Sequence, residues 1–452
     1  MTTQNITLWQ WILVIASSLV LIAISPWAKT KSDFFQATRK NNKKPGLWLL
    51  TSSLVISWIF AKSITNAANL GLSYGIVGGV AYATYYLSFL FAGIIIFKLR
   101  VKGGFQSIHQ FLSSKYGRGA VILFSLLIAF RLFNEVWSNT IVIGSYFGEV
   151  GSKPYYLAIL VFTLLTLLYS LKGGLSSSML TDAIQMVLFA VLLCVILGVI
   201  LPDSDGISSY LGSGDWSLSG GVDLLLVALI QSISYPFHDP VMTDRGFITD
   251  PQTMKKAFYW AVPIGFICIV LFSFIGVYAA QKGMEGEAAV EVAQSLGIIS
   301  MLVINLIMIT SASSTLDSAF ASFSKLMAVD LKIGQASVSS GRLIMVLIAV
   351  LGTIPVFFNP TVLSATTISG TMVIGLAPVF VFWQWRVHRL AFVLTVLTGT
   401  AFGIWFATGA YPKEWVFFPG SYGDLLSVNL LGTAACFLVF IFMKRKGNAL
   451  VG

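Results

Sequence analysis

From Thr310 to Ser318 the chain reads Thr-Ser-Ala-Ser-Ser-Thr-Leu-Asp-Ser, a run of hydroxyls with one carboxylate inside an otherwise apolar segment. Ser311, Ser314, Thr315 and Ser318 fall at i, i+3, i+4 and i+7, so on a helix they form one oxygen-bearing stripe. Hard cations prefer oxygen ligands, and hydroxyls supply them without the full cost of burying carboxylates. A single serine in such a place more often back-bonds to its own helix. A whole stripe beside Asp317 points instead to cation binding.

Five ionisable residues lie well inside apolar runs, Lys62, Arg131, Glu135, Asp182 and Asp317, and Asp239 lies close to the end of one. Each costs at least about 2.5–3.5 kcal/mol at a bilayer centre, so each needs a partner or a task. Glu135 follows Arg131 by four residues and can pair with it on one helix face. Two cations against three carboxylates leave the five at minus one, which a bound monovalent cation or a proton on one carboxylate would relieve.

These residues must be positioned by membrane-spanning helices. The chain is 56% hydrophobic and 10% charged, against roughly 25% charged residues in soluble domains, so lipid is its solvent. Backbone groups cannot stay unpaired in hydrocarbon, and apolar stretches of about 20 residues are therefore helices. The pattern predicts an all-α integral membrane protein forming a single domain over 1–452. It has about 13 spans, at 8–27, 47–75, 78–99, 119–147, 154–171, 178–201, 219–240, 255–281, 292–324, 338–358, 361–385, 389–409 and 425–443. The run 8–27 lacks a basic lead-in and a cleavage site and reads as a retained helix.

Alternate loops are basic, as the positive-inside rule requires. One set holds Lys29, Lys31, Arg39, Lys40, Lys43 and Lys44, then Lys98, Arg100, Lys102, Lys115 and Arg118, then Lys172. It continues with Arg245, Lys255, Lys256, Lys325, Lys332, Arg342, Arg386 and Arg389, and closes on Lys444, Arg445 and Lys446. The opposite set has only Lys153, Lys282 and Lys413 against nine acidic residues from Glu149 to Asp424. This puts the chain in the cell (inner) membrane, N-terminus outside and C-terminus cytoplasmic. The net charge of +10 is thus topology, not a nucleic-acid footprint. Cys194, Cys268 and Cys436 sit in apolar runs without metal or redox spacing, and His109, His238 and His388 are scattered, so no enzyme constellation is present.

Two spans carry helix breakers. Residues 52–75 are too polar and too long for a plain lipid-facing helix, and unwound backbone there would free carbonyls for a cation. The stretch Gln231-Ser-Ile-Ser-Tyr-Pro-Phe-His-Asp-Pro240 holds two prolines within five residues, which makes an uninterrupted helix untenable. The two stand five helices apart, as the first helices of two inverted halves would.

These residues resemble the sodium:solute symporter family, which includes sodium-dependent proline, sugar and sialic acid transporters, and the resemblance covers nearly the whole chain. Ser313-Ser-Thr-Leu-Asp-Ser318, followed by Ala-x-x-Ser and Val329-Asp330, is similar to the family's motif in core helix 8. Gly173-Gly-Leu-Ser-Ser-Ser-Met-Leu-Thr-Asp-Ala-Ile-Gln185 resembles the signature opening core helix 5, and Tyr235 to Arg245 resembles the turn after core helix 6. The resemblance implies an inverted 5+5 repeat core like that of a bacterial leucine transporter. The extra helix 8–27 would precede it, 47–201 and 219–385 would be its halves, and two helices in 389–443 would follow.

It also implies sodium (Na+) held by the carbonyls of Ile56 and Ile59, by Ser311, and by the hydroxyls of Ser314 and Thr315. Asp182 with Ser314, Asp317 and Ser318 would match an additional sodium site of some members, although Asp317 stands where those members have serine. Trp58, Lys62, Ser63, Tyr82, Tyr85, Arg131, Gln231 and Asp239 would line the solute pocket. Lys62 departs from the family pattern: either it joins Arg131 in binding a solute carboxylate, or it pairs with Asp182, Asp317 or Asp239. The implied function is sodium-coupled import of a small polar solute, a carboxylate, amino acid or sugar, by alternating access. Proton-coupled or sodium-independent transport on the same fold, and a transporter-like sensor, are the alternatives.

Overall fold

The structure is a computed structural model that describes residues 3–37, 44–358 and 369–445. Arg39, Lys40, Lys43 and Lys446, and the first part of the span expected at 361–385, lie outside the described residues. Among the described residues there is no β-strand, only an isolated bridge between Val387 and Lys444.

Leaving aside the short helices Lys31–Gln36 and Ile207–Leu211, the helices in chain order are α1 (Thr3–Ile24), α2 (Leu47–Ile56), α3 (Ala61–Ala83), α4 (Ser88–Val101), α5 (Ile108–Tyr116) and α6 (Arg118–Ser145). Then come α7 (Lys153–Gly173), α8 (Leu175–Ile200), α9 (Asp223–Gln231), α10 (Pro240–Arg245) and α11 (Pro251–Gln281). The last are α12 (Ala288–Ser295), α13 (Ile298–Lys325), α14 (Val338–Thr353), α15 (Leu376–Val381), α16 (Ala391–Ala407) and α17 (Gly423–Phe442). Among the described residues nine helical segments are long and apolar enough to cross a membrane, and Leu47–Ile56, Leu218–Gln231 and Ala391–Ala407 are shorter apolar helices. Large apolar side chains on the outer surface, such as Val187 and Leu126, are more than half exposed, as expected where lipid is the solvent.

One of the nine segments runs from Ala61 to Val101, about 60 Å if straight, twice a bilayer core. It is not straight. Gly75 has φ 61° and ψ −148°, a conformation open to glycine and costly for other residues, and the chain doubles back there. A Cβ on Gly78 would stand 2.2 Å from the Leu70 carbonyl oxygen. The Ser63 hydroxyl lies 3.2 Å from that of Tyr82, 19 residues on, where a straight helix would separate them by about 28 Å. The arms 61–74 and 76–83 thus form a hairpin, which packs along α11.

Two other expected boundaries move. The span expected at 292–324 is two elements, because Gly297 with φ 84° separates α12 from α13. The span expected at 219–240 reaches Arg245, in two pieces. Arg245, counted above as a loop cation, is instead wholly buried. The helical core joins α13 to α8 and α6, and α2 to α8 and α11.

Candidate functional site

The centre of the molecule is built from two helix breaks. Between α2 and α3 the segment Ser57-Trp58-Ile59-Phe60 contains neither glycine nor proline, and Phe60 is extended at φ −63°, ψ 149°. A break leaves carbonyls and N–H groups without helical partners, and neighbouring helices take them here. The Tyr86 hydroxyl donates to the Trp58 carbonyl at 2.8 Å, and the Ser311 hydroxyl on α13 donates to the Ile59 carbonyl. The Lys62 N–H donates to Asn139 Oδ1 at 3.3 Å.

The second break, between α9 and α10, has the cause expected from sequence. Pro236 and Pro240 cannot donate to a helix, and Asp239 caps α10, accepting from the Val241 N–H at 2.9 Å. The same carboxylate accepts from the Trp58 indole N–H at 2.7 Å, which ties the two breaks together.

The four central charges are all buried. Lys62 Nζ lies 2.9 Å from Glu135 Oε1 and donates to Ser138 Oγ at 3.1 Å. Arg131 pairs with Glu135 one turn along α6 and with Asp239 at 3.1 Å. The arginine also lies over the rings of Phe60 and Tyr235. Lys62 is therefore balanced by Glu135, not by Asp182, Asp317 or Asp239 as one sequence reading had it. The set is neutral, two cations against two carboxylates.

The hydroxyl stripe of α13 does face the first break. Ile56 ends α2 and is buried, and Ser311 contacts Ile59. Ser314 turns to Asp182 Oδ1 at 2.5 Å, and Thr315 back-bonds to the Ser311 carbonyl at 3.1 Å. Thr315 also borders a cavity of about 10 Å³ shared with Phe60, Arg131, Glu135 and Asp239. Of the expected oxygens, the Ser311 hydroxyl is the one that meets a carbonyl of the break, that of Ile59.

One turn further along α13 lies a denser cluster. Asp182 Oδ2 accepts from Ser53 at 2.5 Å and Ser57 at 3.1 Å, and pairs with Arg245 at 3.0 Å. Ser318 stands 3.0 Å from both Ser57 and Ser178. Asp317 accepts from Ser178 at 2.8 Å and Thr181 at 2.9 Å. Ser53, Ser57, Ser178, Thr181 and Arg245 were missed by the sequence reading. The signal was present for most of them. Ser53 and Ser57 are four apart, and Ser178, Thr181, Asp182 and Gln185 repeat the i, i+3, i+4, i+7 pattern seen on α13. Arg245 carried no such signal, since it lies beyond the expected end of the span at 240 and so counted with the loop cations Lys255 and Lys256.

The expected solute-pocket residues gather around the first break. Trp58, Ser63, Tyr82 and Tyr85 line a cavity of about 20 Å³ with Phe60, Tyr86 and Tyr235. Gln231 accepts from the Tyr85 hydroxyl at 2.8 Å and donates to Asn429 on α17 at 3.0 Å. That volume has room for about one water and none for a solute, so these side chains close on one another. A larger cavity of about 700 Å³ lies at the Gly75 end, bordered by Gly71, Tyr74, Ser213 and Gln281.

Comparison with known proteins agrees with this architecture. The model of the sodium:solute symporter family matches residues 40–215. Solute carrier family 5 member 4A of Mus musculus is 26% identical over 181 residues, 38% of this chain and 27% of that protein. Sodium/glucose cotransporter 1 of Ovis aries is 25% identical over 201 residues, 42% of this chain and 30% of that protein. The chain thus matches less than a third of the length of these curated relatives.

Among solved structures, a Na+-coupled sialic acid symporter in a substrate-bound outward-open state superposes with TM-score 0.73 at 16% identity, covering 99% of each chain. MhsT in complex with L-phenylalanine gives 0.58 at 13% identity, over 87% of this chain and 98% of that one. Mhp1, a nucleobase-cation-symport-1 family transporter, gives 0.53 at 12% identity over 93% and 96%. At such identities the shared property is the fold. This multi-pass helical membrane protein is thus similar over residues 40–215 to the sodium:solute symporter family and to transporters of solute carrier family 5, and it shares its fold with cation-coupled symporters.

Proposed function

We propose that the chain is a sodium-coupled symporter that carries a small polar organic solute across the cell membrane by alternating access. The observation that carries this reading is the meeting of the Ser311–Thr315 stripe with the unwound Ile59 carbonyl. Sodium would be held there by the carbonyls of Ile56 and Ile59 and the hydroxyls of Ser311, Ser314 and Thr315, displacing the hydrogen bonds those hydroxyls make to Ile59, Asp182 and the Ser311 carbonyl. Ion binding would fix the break, and with it Trp58 and the aromatic pocket. Differential affinity of the ion for the outward state then couples the two cargoes, and a membrane potential adds about 2.3 kcal/mol per charge per 100 mV.

In this reading the chain has 13 spans, with the arms of the α3 hairpin belonging to different crossings, and halves at 47–201 and 219–385. The N-terminus is outside, so the 700 Å³ cavity at the Gly75 end is the outer vestibule. About 12 Å of helix separates Gly71 on its wall from Ser63 in the pocket. With Lys62 and Arg131 neutralised by Glu135 and Asp239, a solute need not be an anion, and neutral sugars and zwitterions fit the aromatic pocket as well as carboxylates do.

The test is uptake into proteoliposomes of a panel of sugars, amino acids, sialic acids and carboxylates. An inward sodium gradient is compared with potassium and with a proton gradient. Accumulation driven by sodium alone supports the reading. Accumulation driven by the proton gradient would favour the rival, proton coupling, for which Asp317 is the observation: it is buried and, among the described residues, has no ion-pair partner.

A further inference from the structure

Resemblance alone would assign a second sodium ion to Asp182, Ser314, Asp317 and Ser318. The oxygens there are already committed to a cation that belongs to the chain. Arg245 enters from the end of α10 with its side chain fully buried. Its Nε donates to Ser53 Oγ at 2.7 Å. Its Nη2 donates to Ser318 Oγ at 2.9 Å, pairs with Asp182 Oδ2 at 3.0 Å, and reaches Ser57 at 3.2 Å and Ser178 at 3.5 Å. Four helices, α2, α8, α10 and α13, thus meet at one guanidinium. The remaining oxygens are spent as well: Asp182 Oδ1 on Ser314, and Asp317 on Ser178 and Thr181.

We propose that the Arg245 guanidinium is a tethered cation filling the second-ion locus, so that one mobile sodium ion, and not two, couples transport. The inference rests on the sodium reading of the neighbouring α2–α13 site. Charge balance supports it. Around the two helix breaks and the α2–α8–α13 cluster, with Asp244 paired to Lys325 and Asp223 apart beside Tyr422, Lys62, Arg131 and Arg245 face Glu135, Asp182, Asp239 and Asp317, three buried cations against four carboxylates, which leaves room for a single added positive charge. A guanidinium suits the place because it is always charged and its planar fork can engage several oxygens at once. Being covalently held, it cannot be released inside with the cargo, so it supplies the second ion's local charge without its contribution to the gradient-driven free energy. An ordinary structural ion pair would have the same contacts. It differs in what its removal does, because only a stand-in leaves behind a site that sodium can enter.

The experiment counts bound radioactive sodium per protein in the detergent-purified full chain, with no solute present. Wild type is expected to bind one ion, Arg245→Lys one, and Arg245→Met two, the second lost again when Asp182→Asn is added. Two ions on wild type, or one ion on a folded Arg245→Met with unchanged affinity, overturns the proposal. Should Arg245→Met fail to fold, Asp182→Asn alone decides. An unchanged count of one supports a locus filled by arginine, and a drop from two to one overturns it. No ion on wild type sinks the sodium reading itself; an ion gained by Arg245→Met would then still support the arginine as stand-in, and none gained would overturn it too.

Discussion

The indole N–H of Trp58 donates to the carboxylate of Asp239 at 2.7 Å, so the break between α2 and α3 is hydrogen-bonded to the N-cap of α10 beyond the second break. The two residues are 181 positions apart. The first break is thus tied to α10, and through Arg131 to α6. This is the physical link between the aromatic pocket, which Trp58 lines, and the charged centre.

Replacing Trp58 with Phe keeps most of the ring packing and removes the donor. Hydrogen bonds to charged groups contribute about 1.5–3 kcal/mol, and Asp239 keeps Arg131 and the Val241 N–H. Trp58→Phe is expected to lose stability toward the lower end of that range, read as a drop in thermal midpoint in detergent. It should also weaken solute binding more than sodium binding. An unchanged midpoint would mean that the bond does not couple the breaks.

Lys62 and Glu135 predict an asymmetry. Removing one partner of a buried pair costs about 3–5 kcal/mol because the other charge is left uncompensated. Lys62→Met leaves Glu135 paired with Arg131, whereas Glu135→Gln leaves Lys62 without its carboxylate. Glu135→Gln should therefore be the more damaging, and the double variant should recover part of its loss. Unfolding of the three variants in mixed micelles checks this, and additive losses would contradict the pairing.

Gly75 offers a purely structural test. Its φ of 61° is disfavoured for a side chain, and a Cβ would meet the Ser213 and Gly214 backbone at 2.6 Å. Gly75→Ala is expected to destabilise by more than about 1 kcal/mol, seen as lower expression of folded protein and a lower thermal midpoint. Gly283→Ala is the matched control, since its φ is also positive but nothing stands within 4 Å of its Cβ.

How much of this was legible beforehand follows from what periodicity can carry. The α13 stripe was legible because four hydroxyls at helical spacing have no apolar explanation, and Pro236 and Pro240 announced the second break. The first break was legible only as excess polarity, since Ser57 to Phe60 contain no breaker and the cause lies in partners from elsewhere, Tyr86, Asn139 and Ser311. Which helix a face meets is not encoded by spacing, and so Lys62 was offered three aspartates and took Glu135. Arg245 was hidden by its place between two apolar spans: a loop arginine and a buried one look the same until the helix that carries them is folded inward.

The account stands or falls on the α2–α13 cation locus. The most direct measurement is the thermal shift of purified protein titrated with sodium against potassium, in wild type and in Ser314→Ala with Thr315→Ala. Saturation to about 100 times the dissociation constant adds roughly 2.7 kcal/mol to the folded state. The account predicts a sodium-specific rise in the wild-type midpoint that is lost in the double variant. A sodium-specific rise that persists undiminished in the double variant would contradict it, and the ion would have to be sought elsewhere in the fold.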